Sequence, residues 1–400
     1  MKKFNVVLFA MSSYKEWARG VRNRNYFIVQ NLLRHFALHR ILLVNYLSPT
    51  FKRSLRVAHE NLFFSEGLKV KRGIFSSIYQ PFETMRVLST IKNYTAPKEF
   101  SAEVAAEARE FLGALPLLVW SYYPLSISYF SFPFGVLENQ KVLKIFDAVD
   151  NWMAHPAYLQ KRHILQKNYE YIEKHCDVIF TVSKNLKTGL FPHARNAHVV
   201  PNGVDFAFFK KVPVGERSSF LKGIKRPIAG YVGTIESRID VDLVNFLAER
   251  NPKISFVFAG PIWKSAEVDR LRGRRNVHFI GRVAYEHIPA LMREFSVGII
   301  PHRHTALTAS MDPMKAYEYL ACGIPVIATP VPLPKNLARW IQIAGTMLEF
   351  NALLGELIKQ KSPRLQSKAE LERVLALSDW KYRVDDMLDY IQKSALLDKK

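Results

Sequence analysis

Short apolar runs alternate with amphipathic segments along this chain, and the alternation starts twice. In the first half it predicts strands at 4–9, 41–46, 117–121, 142–146, 177–182 and 198–200, with helices at about 23–35, 102–112 and 157–174. Strands that alternate with helices favour a parallel sheet with helices on both faces. The first half of the chain is therefore predicted to be a doubly wound α/β domain.

The pattern restarts after a Pro-Asn-Gly turn at 201–203, which begins "PNGVD". Strands are predicted at 228–232, 254–259, 277–280, 297–300 and 324–328, with helices at about 241–249, 285–294 and 314–321. We predict a first domain at 1–205, a linker at 206–226, a second domain at 227–377 and a last helix within 378–400. Two Rossmann-like domains of this kind would face each other across a cleft, and ligands bind beyond the carboxyl ends of such strands.

Length and composition agree with a two-domain protein. Four hundred residues suit two domains, and the two cysteines, Cys176 and Cys322, form no disulfide or metal pattern. The apolar run at 4–11 follows two lysines but is short and lacks a cleavage site, so we interpret it as a strand and not as a signal peptide. These features predict a cytoplasmic protein without a bound metal.

The net charge of +22 is uneven, because residues 1–100 contain 17 Lys and Arg against 5 Asp and Glu. Basic and aromatic residues alternate between Phe51 and Phe75. Such a surface suits the anionic inner face of a membrane, which we favour over nucleic acid. A solvated basic face with its aromatic side chains turned inward is the structural alternative.

The stretch "PMKAYEYLACGIPVIAT" at 313–329 carries the most functional information. Asp312 is predicted as N-cap, Pro313 as the first helical residue and Gly323 as the stop. Free N–H groups at the helix start, with Lys315 in the first turn, suit a diphosphate. Glu318, one turn on, can accept hydrogen bonds from ribose hydroxyls. The alternative is a solvated Lys315–Glu318 salt bridge.

Polar residues follow other predicted strands of the second half. Gly233 permits close backbone approach and Arg238 could reach phosphates, or both belong to an ordinary turn. The loop Gly281-Arg282-Val283 before Tyr285 is a candidate for contacts with a nucleobase. His302 follows a further strand near the start of the predicted 314–321 helix and is a candidate site residue. An ordinary surface histidine is the alternative.

In the first half, Asp147 and Asp150 follow a buried strand and are candidates for an acceptor hydroxyl or a general base. Capping the next helix is the alternative. Gly20, Arg22 and Arg24 precede the first long helix, where the arginines face the cleft or belong to the basic surface.

Several chemistries are excluded by missing motifs. No strand is followed by Gly-x-Gly-x-x-Gly, so a dinucleotide dehydrogenase is not supported. The sequence has no P-loop, no Gly-x-Ser-x-Gly elbow and no His/Cys/Asp cluster with metal spacing.

The chain resembles GT-B glycosyltransferases of family 4, in particular the teichuronic acid biosynthesis branch. The resemblance rests on "TVSKNL" at 181–186, "VPNGVD" at 200–205, "GYVGTI" at 230–235, "NVHFIGRVAYEHIPALM" at 276–292 and "PMKAYEYLACGIPVIATP" at 313–330. It implies that Lys315 holds a diphosphate and Glu318 the ribose, and that residues 281–285 flank the base. Met314 joins them on the donor side. Asp147, Asp150 and Gly20 lie on the acceptor side.

The resemblance also implies a last helix that returns to the first domain, retention of configuration and no metal. The chain departs from the family at four positions. Ser310 and Asp147 stand where a glutamate and a histidine are usual, and Thr234 and Ile239 stand where an arginine and a lysine are usual.

We therefore predict a glycosyltransferase that moves a sugar from a nucleotide-diphosphate donor, such as a UDP-sugar, to a surface-polysaccharide or lipid-linked acceptor at the inner face of the plasma membrane. Nucleic acid is not an expected partner. A GT-B-shaped epimerase or phosphorylase and a non-catalytic basic binding protein remain the alternatives.

Overall fold

The chain folds into two units, each with its own sheet. The first unit comprises Met1–Val200 and Val384–Lys400, and the second comprises Pro201–Arg383. The computed structural model describes residues 2–45, 62–73, 75–90, 92, 97–125, 140–211, 219–263, 267–333, 336–359 and 368–397. Residues 51–60 of the predicted basic and aromatic surface lie outside these ranges.

The first unit is built on a nine-stranded sheet in the order β3-β4-β5-β2-β1-β6-β7-β8-β9. Its central strands β1 and β6 are mostly apolar and fully buried, as expected for parallel strands covered on both faces. Six strands of the sheet confirm predicted ones: β1 and β6 have the predicted bounds, and β2, β7, β8 and β9 have shifted ends. The bounds are β1 Phe4–Phe9, β2 Leu38–Val44, β3 Leu68–Arg72, β4 Ser76–Phe82, β5 Met85–Thr90, β6 Leu117–Ser121, β7 Val142–Ala148, β8 Val178–Thr181 and β9 Ala197–Val199.

Strands β3, β4 and β5 were not predicted. β3 pairs antiparallel with β4 and β4 antiparallel with β5, whereas β5 pairs parallel with β2. β3 has the sequence LKVKR and is the outer strand, so it lacks the apolar run that identifies an inner strand. These five residues were predicted only as part of a basic surface, and in the structure they form the edge of the sheet.

Helices cover both faces of this sheet. They are α1 Tyr14–Ala18, α2 Arg24–Arg34, α3 Pro97–Leu112, α4 Arg162–His175 and α5 Lys184–Leu190. The helix predicted at 157–174 is divided, because a 3₁₀ turn at Pro156–Lys161 precedes α4. Buried residues form one apolar cluster on each face of the sheet.

The second unit has a six-stranded, wholly parallel sheet in the order β12-β11-β10-β13-β14-β15. Five strands were predicted, whereas β15 was not. The strands are β10 Ile228–Val232, β11 Ser255–Ala259, β12 Val277–Gly281, β13 Val297–Ile300, β14 Val326–Ala328 and β15 Ile341–Ile343. The helices are α6 Phe206–Lys211, α7 Val241–Arg250, α8 Ile288–Arg293, α9 Met314–Ala321, α10 Met347–Lys359 and α11 Lys368–Leu377.

The segment predicted as a linker contains regular structure. Helix α6 lies at its start, and a 3₁₀ turn follows at Ser219–Leu221. Phe209 and Leu221 are fully buried in the apolar cluster of the second unit. None of the described helices is long and apolar enough to cross a bilayer.

The last helix, α12, runs from Trp380 to Leu397. The predicted apolar stripe is confirmed, because Trp380, Val384, Met387, Leu388 and Ile391 are all buried. From Val384 onward this stripe packs in the same apolar cluster as residues of β1 and β6 in the first unit. The C-terminal residues therefore complete a core that begins with residue 4.

Met387→Ala is expected to destabilise the protein by about 2–5 kcal/mol, because Met387 is fully buried and its loss leaves a cavity. Urea denaturation followed by circular dichroism measures this change. Asp389→Ala on the exposed side of α12 is the control and is expected to stay within about 0.5 kcal/mol. Equal effects of the two substitutions would contradict the packing of α12.

Candidate active site

Polar groups of the second unit gather where its strand order reverses. β10 lies beside β13 in the sheet, so the chain winds away in opposite directions on the two sides of this pair. Gly233 follows β10, and Pro301 and His302 follow β13. Such a switch point at the carboxyl ends of parallel strands is where open α/β sheets bind ligands.

Three glycine loops pack against one another beside the switch point. The Gly233 N–H donates to the Ala259 carbonyl at 2.9 Å, and the Gly260 N–H donates to the Gly281 carbonyl at 2.7 Å. Gly233 and Gly260 have φ angles of +137° and +146°, and a side chain at Gly260 would overlap the Gly233 carbonyl oxygen. Gly260 was not singled out from the sequence, although a glycine directly after a buried strand is a usable signal.

Lys315 projects from the first turn of α9 toward Gly233. A Cβ atom at Gly233 would lie 3.3 Å from the Lys315 Cε, and the Nζ sits 4.7 Å from the centre of the Tyr231 ring. Tyr231 in turn donates from its hydroxyl to the Thr234 carbonyl at 3.1 Å. Within the described parts of the chain, Lys315 forms no salt bridge, so the alternative of a solvated Lys315–Glu318 pair is wrong.

Burial shifts the pKa values of both site residues on α9. It lowers the pKa of Lys315 to about 8, with a further contribution from Arg238. It raises the pKa of Glu318 to about 7, against the opposing effect of Lys315. Near neutral pH the lysine is thus mostly charged and the carboxyl group titrates. Strongly perturbed groups in one pocket are typical of functional sites.

Arg238 is held beside this pair. Its guanidinium forms an ion pair with the buried Glu236, and Nη1 lies 3.5 Å from the Met311 sulfur. The Arg238 side chain is 18% exposed. It therefore adds a second positive charge near Lys315, while Glu236, which the sequence analysis did not identify, orients it.

His302 is buried close to the charges of Lys315 and Arg238. It is 1% exposed, its ring is 6.1 Å from that of Tyr231, and neither ring nitrogen has a hydrogen-bond partner among the described residues. Burial, Lys315 and Arg238 lower its pKa well below the usual value, so the ring is neutral. The alternative of a surface histidine is wrong.

The start of α9 differs from the prediction. Pro313 is the N-cap residue and Met314 begins the helix, so Asp312 is not the cap. The Asp312 carboxylate instead accepts from the Asn202 N–H at 2.6 Å and from the Tyr317 hydroxyl at 3.1 Å. Gly323 ends the helix as predicted, with a φ angle of +75°.

The remaining predicted donor-side residues lie around these loops. Gly281 ends β12 with a φ angle of +75°, and Arg282 after it is exposed. Tyr285 is partly buried, and its ring stacks on Phe208 at 4.9 Å. Met314 is partly exposed at the first position of α9.

Two of the residues predicted in the first half form one buried ion pair. The Arg24 Nε lies 2.9 Å from the Asp147 Oδ2, and the side chains are 3% and 0% exposed. Asp147 is inside β7 and does not follow it. Burial raises the pKa of Asp147, and Arg24 opposes this rise. The pair connects α2 to the sheet, so Arg24 is not on the basic surface.

The other acceptor-side candidates lie in loops of the first unit. Asp150 follows β7 and is partly exposed. Caps in this segment come from Asn151 and His155, which accept from backbone N–H groups of Ala154 and Ala157. Gly20 has a φ angle of +88°. The Arg22 guanidinium donates to the Trp17 carbonyl and stacks 4.1 Å from the centre of the Tyr26 ring.

The family departures in the second unit occupy structural positions. The Ser310 hydroxyl donates to the carbonyls of Ala306 and Leu307 at 3.0 and 2.9 Å, and Ile239 is buried in the core. Thr234 is partly exposed in the loop after β10. No group of three or more potential metal-ligating side chains occurs in the part of the chain that the structure describes.

Comparison with known proteins finds similarity to a glycosyltransferase family model and to one glycosyltransferase sequence. Residues 226–349 match the family model for glycosyl transferases group 1. The putative teichuronic acid biosynthesis glycosyltransferase TuaH of Bacillus subtilis (strain 168) is 23% identical over 246 residues, which cover 59% of this chain and 59% of TuaH. The chain thus matches about three fifths of the length of this relative.

Solved structures match over nearly the whole chain. Sucrose-phosphate synthase from Thermosynechococcus elongatus has a TM-score of 0.70 at 14% identity and full coverage of both chains. HepE of Anabaena, solved in complex with UDP-glucose, has a TM-score of 0.63 at 15% identity, with 97% and 99% coverage. The chain therefore has the GT-B fold.

Lys315→Met is expected to raise the thermal midpoint at pH 7, because the folded protein no longer encloses this ammonium group. The lowered pKa corresponds to about 1–3 kcal/mol. Between pH 8 and about 10.4 the wild-type folded state binds fewer protons than the unfolded state, so its stability rises with pH. The advantage of the variant should shrink over this window. An advantage that stays constant from pH 7 to 10 would contradict the shifted pKa.

Proposed function

We propose that this protein is a glycosyltransferase that transfers a sugar from a nucleotide-diphosphate donor to a glycan or lipid-linked acceptor. The observation that carries the proposal is the Lys315 ammonium group, which has no carboxylate partner in the described structure and lies in the first turn of α9 beside the Gly233 loop. Similarity to HepE, whose structure contains UDP-glucose, favours a UDP-sugar.

The chemistry requires that charge on the leaving diphosphate be stabilised while the glycosidic bond breaks. In this proposal Lys315 and the free N–H groups at the start of α9 bind the phosphate oxygens. Arg238 adds positive charge while Glu236 holds it in place. Donors that are fixed before the reaction stabilise developing charge without reorganisation, and loss of one typically costs about 10²–10³ in rate.

The nucleoside would extend from α9 toward β12. Glu318 lies one helical turn after Lys315, so its carboxylate accepts hydrogen bonds from the ribose hydroxyls. Gly281, Arg282 and Tyr285 flank the base, and Met314 contacts the nucleotide at the helix start.

The acceptor is proposed to bind the first unit. Asp150, which is partly exposed after β7, is the better candidate for the acceptor hydroxyl, because Asp147 is enclosed with Arg24. Gly20 and Arg22 would line the same side. Retention of configuration and a reaction without a metal belong to this proposal through the family resemblance.

Lys315→Ala is expected to keep the fold and to lose about 10²–10³ of turnover, together with most of the affinity for UDP. Isothermal titration calorimetry with UDP gives the affinity, and release of UDP from a UDP-sugar gives the turnover. Lys253→Ala, an exposed lysine of the same unit, is the control. Wild-type affinity in Lys315→Ala would refute the diphosphate assignment.

UDP affinity is expected to be highest between about pH 7 and 8. Above pH 8 Lys315 loses its proton, and below pH 7 Glu318 gains one, so each change removes a contact. The Glu318→Gln variant should bind UDP more weakly than wild type, and its affinity should fall less as the pH drops below 7. Protonation of UDP affects its binding to both proteins equally. The difference between the two pH profiles therefore reports the contribution of Glu318. Identical pH profiles would exclude the ribose role.

We propose that the protein binds to the inner face of the plasma membrane. The edge strand β3 and its neighbours expose Phe63, Leu68 and Phe75 with relative accessibilities of 59%, 67% and 52%. Lys69 and Arg72 lie among them and are exposed. Aromatic and aliphatic side chains interspersed with cations suit an anionic bilayer surface.

The double variant Lys69→Glu/Arg72→Glu is expected to bind phosphatidylglycerol vesicles several-fold more weakly than wild type. Vesicle co-sedimentation at low salt measures this, with phosphatidylcholine vesicles as the neutral comparison. Lys222→Glu/Lys225→Glu makes the same charge change at exposed positions of the second unit and is the control. Equal losses in both double variants would show a net-charge effect without a local docking surface.

A further inference from the structure

The chain passes between its two units after Val200 and again after Arg383. In the second unit, the residues next to these points form two segments, 201–206 and 378–383, which we call the crossing segments. They are joined by backbone hydrogen bonds from Val204 to Ser378 at 3.1 Å and from Trp380 to Val204 at 3.3 Å. The Phe206 N–H also donates to the Asp379 carboxylate at 3.1 Å. The two crossing segments therefore behave as one element.

Asp312 connects this element to the site. Its carboxylate accepts from the Asn202 N–H at 2.6 Å, and its carbonyl accepts from the Asn202 side-chain amide at 2.7 Å. The Asn202 carbonyl in turn accepts from the Arg383 Nε at 3.1 Å. Asn202 and Asp312 are 8% and 7% exposed, so water does not readily replace these bonds.

The same carboxylate also holds α9. Asp312 lies two residues before the helix, and the Tyr317 hydroxyl donates to its Oδ2 at 3.1 Å. Tyr317 lies between Lys315 and Glu318 in the sequence of α9, and its side chain is fully buried. The Asp312 side chain thus contacts segment 201–206 directly and segment 378–383 through Asn202. It also contacts α9, the helix that carries Lys315 and Glu318.

We propose that Asp312 is a positioning residue that couples ligand binding at α9 to the crossing segments. Hydrogen bonds to a carboxylate are stronger than those between neutral groups, and here they are enclosed by protein. A ligand that fixes the first turn of α9 therefore stabilises residues 201–206 and 378–383. The identity of that ligand rests on the proposed function, whereas the connection itself does not.

Hydrogen exchange with and without UDP tests the coupling. In the wild type, saturating UDP is expected to slow amide exchange in the crossing segments about fivefold or more, the lower end of typical couplings between sites. Asp312→Ala loses the carboxylate bonds and keeps only the main-chain bond from the Asn202 amide, so UDP still slows exchange in α9 but its effect on the crossing segments falls sharply. UDP-dependent protection of the crossing segments that persists undiminished in Asp312→Ala would overturn the proposal.

Further variants separate coupling from general loosening. Asp379→Ala removes the bond to Phe206 without touching Asp312, so exchange rises in the crossing segments but their UDP-dependent protection remains. Asp312→Asn retains an acceptor and should restore most of the protection, and Tyr317→Phe should reduce it in a folded protein. If Asp379→Ala abolished the UDP-dependent protection, or if Tyr317→Phe retained it in full, the route from α9 through Asp312 would be refuted.

The donor assignment can fail independently. If UDP does not bind the wild type, the proposed donor is wrong, and exchange without ligand still tests the connection. Asp312→Ala should then raise exchange in α9 and in the crossing segments together, whereas Asp379→Ala should raise it in the crossing segments alone. Unchanged exchange in α9 of Asp312→Ala would refute the connection.

Discussion

The position of one ammonium group constrains most of the second unit. Lys315 lies at the positive end of α9, against the Gly233 loop and over the Tyr231 ring, without a carboxylate in salt-bridge contact among the described residues. Desolvation, Arg238 and the helix dipole all disfavour its charge. The arrangement favours glycine at 233, because its φ angle is +137°, and glycine at 260, because a side chain would overlap the Gly233 carbonyl oxygen. A bound anion would offset this electrostatic cost, and in the proposed function a diphosphate binds both the cation and the free N–H groups.

Local signals in the sequence were enough to predict this helix but not its surroundings. Residues 314–321 and the stop at Gly323 follow from helix propensity and from the need for a positive φ angle. Asp312 satisfies the same local rule for an N-cap, yet it bonds to Asn202, which is 110 residues away along the chain. A tertiary partner therefore overrode the local preference. The contact of Lys315 with the Tyr231 ring likewise depends on two elements that no local pattern relates.

The fold was predictable where strands are buried on both faces. β1, β6, β10 and β13 are continuous apolar runs, and their bounds agree with the predicted ones. β3 has the opposite character, because it lies at an edge and three of its five residues are basic. Its pairing with β4 is fixed by the partner strand, and composition alone indicated only a basic surface. The hydrophobic pattern thus reports burial, and it misses a strand such as β3 whose residues are mostly exposed.

Asp147 of the first unit is paired with Arg24, whereas Lys315 and Glu318 of the second unit are not paired with each other. In the first unit, Asp147 and Arg24 were predicted as separate site residues, but they neutralise each other at 2.9 Å inside the core. Such a pair is costly to break, and neither partner can leave the other to meet a substrate without exposing an uncompensated charge. In the second unit, Lys315 and Glu318 share a helix face without pairing, and their pKa values move toward neutrality from opposite sides. Groups that remain unpaired at this cost are available to a ligand, so the charged substrate should bind the second unit and an uncharged acceptor group the loops of the first.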